Sequence, residues 1–410
     1  MIARCNQQNA RSALAACAKH PSGTDCWARF GSHRYTGRAP PNWPQSTGQI
    51  GLNRKPQRES AWHRGSERGN AMKHDRSHAL SHLLRDFELP QDASQQVPFV
   101  GAALRQLIDD GLDRLPLPAS GATLERWQAL AAVAGSDLSL LKLYEGHTDA
   151  LAILAELDGE PQCGIWAVWA ADPPSPCVEV VAREAGHVRI SGSKPWCSGA
   201  AVAEHALVTV KDEQQRTQLV AVPLAQPGVS VGSSGWNAVG MAATGSVAVT
   251  FDQALARCVG GPQEYLERPG FWHGGAGIAA CWYGAAGRLA DYLRQGRSED
   301  PHAMAHLGAV DAALAGAAGA LRECAGWIDE NPAAPSELAA RRVRAQVEGA
   351  VEAVQWHVGR ALGATPFCRD RRFARLAADL PVFLRQSHGE RDLAHLGRHL
   401  KRLEIESWAL

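Results

Sequence analysis

Two hydrophobic periods alternate along the chain from residue 72 onward. In Val97–Ile108, Leu124–Ala134 and Leu138–Leu157, apolar residues recur at three- and four-residue steps, the spacing of one helix face. Asp137, with Ser136 just before it, is placed to cap the last and longest of these. Gly111 and the Pro116/Pro118 pair punctuate the links between them. Near Pro161 the period shortens. Val178–Val181, His187–Ile190, Ala206–Val210, Leu219–Val222 and Val247–Phe251 are short β-branched runs separated by Gly, Pro and Asp turns, which predicts an antiparallel sheet. After Pro262 the helical period returns over Trp272–Arg294, His302–Asp329, Ser336–Gly363 and Arg371–Arg402, with joints at Pro301, Asn331-Pro332 with Pro335, and Thr365-Pro366. Four long segments with short links imply an antiparallel bundle. The Ala/Gly-rich run 312–320 would let helices approach closely, inside the bundle or between subunits. The expected class is α+β, mainly α: a helical domain over 72–160, an antiparallel β-domain over 161–261 and a four-helix bundle over 262–410.

The first 71 residues follow neither period. Arg, Gly, Pro, Ser, Asn and Gln crowd them and Ile, Val and Leu are scarce, so the stretch cannot bury enough surface to offset its chain entropy. A basic disordered arm or an organelle-targeting peptide fits this composition. The favoured reading is upstream sequence translated from an early start, because helix-like patterning begins right after Met72.

Charge sharpens the division. The chain has 42 basic and 42 acidic residues, yet residues 1–71 hold eleven Lys/Arg against three Asp/Glu. The remainder is therefore acidic, which argues against nucleic acid as its partner. The sequence shows no apolar run approaching the ~18–20 residues of a bilayer span. Ten scattered cysteines, none in a CxxC pair, fit reduced thiols and a cytoplasmic location.

Two motifs lie in the β-region. One is Ile190-Ser191-Gly192-Ser193-Lys194-Pro195-Trp196-Cys197-Ser198-Gly199-Ala200; the other joins Gly240-Met241 and Thr244-Gly245-Ser246 to Val247-Ala248-Val249-Thr250-Phe251-Asp252. In this order and spacing they resemble the acyl-CoA dehydrogenase superfamily of FAD enzymes, and the resemblance extends from about residue 136 to the end. It implies a helix–sheet–helix flavoprotein that binds FAD, acts on an acyl thioester and forms a homodimer or homotetramer. Electrons would pass to an electron-transfer flavoprotein.

By that resemblance Trp196 would pack beside the flavin ring and Ser198 would bond its edge, while Trp169 stands where the family has a flavin-bonding Thr. Arg297 and Gly363 would match its diphosphate contacts; Arg suits that role because its planar fork bonds phosphate oxygens in pairs. The family's catalytic Glu is replaced. In Phe383-Leu384-Arg385-Gln386-Ser387-His388-Gly389-Glu390 the matching position is His388, with Glu390 on the opposite side of the expected helix. Candidate carboxylates Glu264 and Glu267 fall out of register, with Arg268 nearest that location. The family's Gly-Ser-Asp turn is missing after Ala170-Ala171-Asp172. His147 reads as a satisfied core histidine.

Histidine gives and takes protons near neutrality, which leaves three readings open. The chain is an FAD-dependent dehydrogenase with His388 or an unidentified carboxylate as base, a reduced-flavin monooxygenase served by a flavin reductase, or a fold member that binds flavin or acyl groups without turnover.

Overall fold

The computed structural model divides into two units, Met1–Trp62 and His63–Leu410. It describes residues 78–171, 177–184, 186–296, 299–402 and Trp408, so the expectations for residues 1–71, for Arg297 and for the 172–176 turn lie outside the described residues.

Helices open the described chain: α1 over 78–85, α2 Ala93–Asp109, α3 Thr123–Ser136 and α4 Leu138–Glu156. Asp137 caps α4 as expected, its Oδ1 accepting from Ser139 N and Leu140 N at 2.8 and 2.9 Å. The strands are β1 Trp166–Trp169, β2 Val178–Glu184, β3 His187–Cys197, β4 His205–Lys211, β5 Thr217–Pro223, β6 Val229–Val231 and β7 Val247–Val259. Their order is β1-β4-β2-β3-β7-β5, with β6 paired to β7 and β4 to β5. Pairing is antiparallel except at β4, where β1 lies parallel over Trp166–Trp169 and β2 adds one parallel pair. That departure from an all-antiparallel sheet arises because the β2–β3 hairpin intervenes between β1 and β4 in the chain.

Both sequence motifs mark places where backbones crowd. Gly192 has φ +130°, and a Cβ there would stand 2.3 Å from Cys177 O, at the register shift in β3. At Gly240 a Cβ would meet Ala378 O at 2.1 Å, so the glycine lets the turn before β7 close onto a C-terminal helix.

The C-terminal region runs α5 Glu264–Glu267, α6 Pro269–Arg294, α7 Pro301–Glu330, α8 Glu337–Leu362, α9 Ala364–Arg369, α10 Arg371–Leu384 and α11 Glu390–Leu400. One core joins α1–α4 to the α6–α8–α10 bundle around Trp127, Tyr144 and Trp282; a second fills the sheet around Ile190, Val208 and Phe251. Apolar burial at about 25 cal/mol per Å² drives both. Among the described residues, α7 alone is long and apolar enough to cross a membrane, although its sequence did not suggest this; here it packs along α8.

The last helix differs from the single segment expected over Arg371–Arg402. Pro381 removes one amide donor from α10, and the chain turns at 385–389 before Gly389, at φ +51°, starts α11. His388 therefore sits in a break rather than on a helix face, and Glu390 begins the next helix instead of lying on the opposite side of a shared one as expected.

Candidate functional site

A cavity of about 660 Å³ opens where the end of β1 meets α4, the start of α6, α8 and the α10–α11 break. This is within the ~300–1,000 Å³ of ordinary ligand sites. Its walls are unusually charged: ten of the nineteen lining residues carry a charge or an imidazole.

The α4 wall presents Lys142, Glu145 and Asp149, three- and four-residue steps along one face. Lys142 Nζ donates to Glu145 Oε2 at 2.7 Å, and Arg126, on α3, donates to Asp149 Oδ1 at 2.7 Å. Burial pushes the Glu145 carboxyl up to about 7; the Lys142 ammonium works against that shift and Asp149 adds to it. Burial also depresses Lys142, but the charge and hydrogen bond of Glu145, with the added charge of Asp149, together outweigh it and leave the ammonium above its ordinary value. Tyr265 closes this wall, its phenol pushed up to about 12 by burial. Sequence reasoning did not single out these three α4 residues. The available signal was charge recurring at helical steps on a helix whose other faces are apolar.

On the opposite side, Arg341 and Arg344 project from α8 onto aromatic faces of α6, 4.6 Å over Trp272 and 4.7 Å over Trp282 respectively. Arg341 donates to Glu337 at 2.8 Å and to Asp392 at 3.1 Å. Arg344 donates to two main-chain oxygens, Gly275 O at 2.7 Å and Gln386 O at 3.0 Å, and so ties the break to α6. Arg268, the residue expected nearest the first bundle helix's site, also lines the cavity, paired with Glu156.

His388 lines the cavity and is 57 % exposed, with Nδ1 3.7 Å from Asp392 Oδ2. Its own amide donates to the same oxygen at 3.0 Å. Burial raises the Asp392 carboxyl, but that amide and the charges of His388, Arg344 and Arg341 hold it below the carboxylate range. The result is an imidazole on the cavity wall beside an ionised carboxylate that Arg341 fixes in turn.

The expected cofactor contacts are dispersed. Ser198 lies beside the cavity: a small void of about 10 Å³ touches Ser198, Lys142 and Val168, and the last two also line the main space. Its hydroxyl heads a chain through Ser246 and Thr244 that ends on Met241 O, with steps of 2.8, 2.8 and 2.7 Å. Met241 N donates to the buried Asp379 at 2.5 Å, which anchors the turn to α10. Trp196 stands two residues before Ser198 with φ +57° and 56 % of its surface exposed, an indole face free to stack. Trp169 does different work: it is buried in the sheet core and its Nε1 donates to Ser198 O at 3.1 Å, so its neighbours Val168 and Ala170 face the cavity instead. Gly363 forms the α8–α9 joint at φ +62°, away from the lining residues. His147 is satisfied as expected, accepting from Trp166 N at 3.1 Å on Nδ1 and meeting Asp113 at 3.2 Å on Nε2.

A planar flavin ring needs a stacking face, a donor at its edge and a dry slot beside substrate space. Ser198 and Val168 border the small void beside the cavity, and the exposed Trp196 lies two residues along the same turn, a set of residues that fits such a group.

Residues 170–254 match the family profile described as acyl-CoA dehydrogenase, middle domain. No curated protein matches the chain in sequence. Among solved structures, butyryl-CoA dehydrogenase from Megasphaera elsdenii aligns with a TM-score of 0.68 at 12% identity, covering 81% of this chain and 98% of that one. TdsC from Paenibacillus sp. A11-2, solved with FMN and indole, aligns at 0.64 and 18%, covering 82% and 97%. Methanesulfinate monooxygenase MsuC from Pseudomonas fluorescens aligns at 0.62 and 20%, covering 80% and 97%. At such identities these likenesses show a shared fold. Residues 170–254 thus carry the acyl-CoA dehydrogenase middle-domain pattern, and the helix–sheet–helix fold around them is acyl-CoA dehydrogenase-like.

Proposed function

We propose that the chain is a flavin-dependent monooxygenase that acts on a small polar substrate, with His388 as its proton-transfer residue. The observation that carries this reading is the charged cavity. An acyl chain needs an apolar sleeve, because each charge it strips of water without replacing costs several kcal/mol. Here ten of nineteen lining residues are charged or imidazole. Among the similar folds, TdsC, also described as dibenzothiophene monooxygenase, and MsuC are monooxygenases, which supports the reading without establishing it.

A bound flavin, FAD as the resemblance implies, supplies two-electron redox chemistry beside Ser198. The protein's own part is proton handling and positioning. Asp392 holds the His388 main chain and sets a negative charge near its ring, so the imidazole gives or takes the substrate-side proton, a contribution of about 10²–10⁴ in rate. Glu145, its carboxyl raised toward neutrality by burial, provides a second proton source on the facing wall. A flavin reductase would supply reduced flavin.

One observation favours a second reading, an acyl-CoA dehydrogenase delivering electrons to an electron-transfer flavoprotein: Glu145 is a carboxyl in the same cavity, available as base. Two experiments on the flavin-loaded full chain separate them. With chemically reduced flavin and ¹⁸O₂, a monooxygenase places label in the product. Under anaerobic mixing with acyl-CoAs, a dehydrogenase loses its visible absorbance. Full turnover by His388→Ala would remove that residue from the mechanism, and failure to take up flavin would leave only a non-catalytic role.

A further inference from the structure

We propose that the cavity receives a small organic anion, a carboxylate or sulfonate, whose oxygens are held by Arg344 and Arg391. The inference rests on the cavity being the substrate site, and it follows from the charge balance of the walls. Glu145 is paired with Lys142, Asp149 with Arg126, Arg268 with Glu156, and Arg341 with Glu337 and Asp392. Every carboxylate on the lining already has a basic partner. Two cations do not have an acidic one. Arg344 is held by two carbonyl oxygens alone, and Arg391 makes no ion pair among the described residues.

The geometry of Arg344 suits an oxyanion. Its guanidinium has five donors, of which two are used by Gly275 O and Gln386 O. Stacking on the fully buried Trp282 holds the plane still, so the remaining donors form a fork of fixed direction. Arg344 is half-buried and feels only the more distant charges of Asp392 and Glu348, with no carboxylate in ion-pair contact, so the anion of a ligand is the natural partner for its remaining donors. Arg391 opens α11, three residues after His388, and stands on the exposed rim where it can close over the same group. The ligand must be small, because about 660 Å³ has to hold both it and the adjoining ring.

The test is calorimetric titration of the flavin-loaded full chain with butanesulfonate and butanoate, against uncharged butanamide. Saturable binding of the anions, about tenfold or more tighter than the amide, is expected. Arg344→Gln and Arg391→Gln should each weaken the anions by about tenfold and leave the amide unchanged. Arg344→Lys, which keeps the charge under the same packing, should recover part of the loss. Arg183→Gln, on β2 and not among the cavity-lining residues, should bind as the parent does. Equal binding of amide and anion, or unchanged anion binding in both Gln variants, overturns the proposal. So does anion binding only to flavin-free protein, since the cations would then serve the cofactor. Binding of coenzyme A that depends on Arg391, with no butanesulfonate binding, would assign the cations to thioester phosphates instead and likewise overturn it. Anion binding without ¹⁸O incorporation would retain this inference and defeat the monooxygenase reading; label in a neutral product would do the reverse.

Discussion

On the α4 wall, Lys142, Glu145 and Asp149 face the cavity from a helix whose other sides are buried, and each charge is answered within the protein. Across the cavity, His388 and Arg391 stand on a short exposed stretch, supported through Asp392 and Arg341. The first wall is part of the core, so removing a charge there leaves its partner buried alone. The second is mounted on the core, so its groups can change with little structural cost. Charge on a pocket wall therefore has two meanings, and burial of the partner decides between them.

The sharpest way to break this contrast is Asp149→Ala. It strands Arg126, which is 3 % exposed, and should cost about 3–5 kcal/mol in urea unfolding. A loss under about 1 kcal/mol would mean the α4 wall is no more structural than its counterpart. Glu145 gives the next effect. Its folded-state pKa, about 7, lies above the ordinary 4.5, so the native state holds more protons than the unfolded one between those values. Stability should then fall as pH rises from about 5 to 8, by roughly 2–3 kcal/mol, and Glu145→Gln should flatten that profile. An unchanged slope in the variant would place the titration elsewhere. Asp392→Ala loses the His388 amide contact and half the support of Arg341, for about 1 kcal/mol by the same unfolding assay. His388→Ala comes last, within about 0.5 kcal/mol, although turnover should drop about a hundredfold or more. A large stability loss there would erase the distinction between the walls.

The sequence made the architecture legible because period and punctuation are local properties. Asp137 as cap, the long bundle helices and the two β-motifs all follow from neighbours a few residues apart. The site was legible only in part. His388 was found by its place in a motif, whereas the break that carries it depends on Pro381 and Gly389 acting together in tertiary context. Trp169 was assigned to the flavin because it replaces a flavin-bonding residue, but its alternation on β1 turns it into the sheet core. Glu145 and Arg344 escaped notice since nothing in a helix's own period says whether a charged face meets water or another wall. That information lies in the packing of α4 against β1 and of α8 against α6.

The interruption between α10 and α11 has an evolutionary consequence. α10 must keep Phe373, Leu380, Phe383 and Leu384 pointed inward, so drift there is punished by loss of the bundle. Residues 385–389 owe the core much less. A hinge of this kind lets selection trial different acids and bases at position 388 while the scaffold stays constant, and chemistry can diverge within one fold by edits a few codons long.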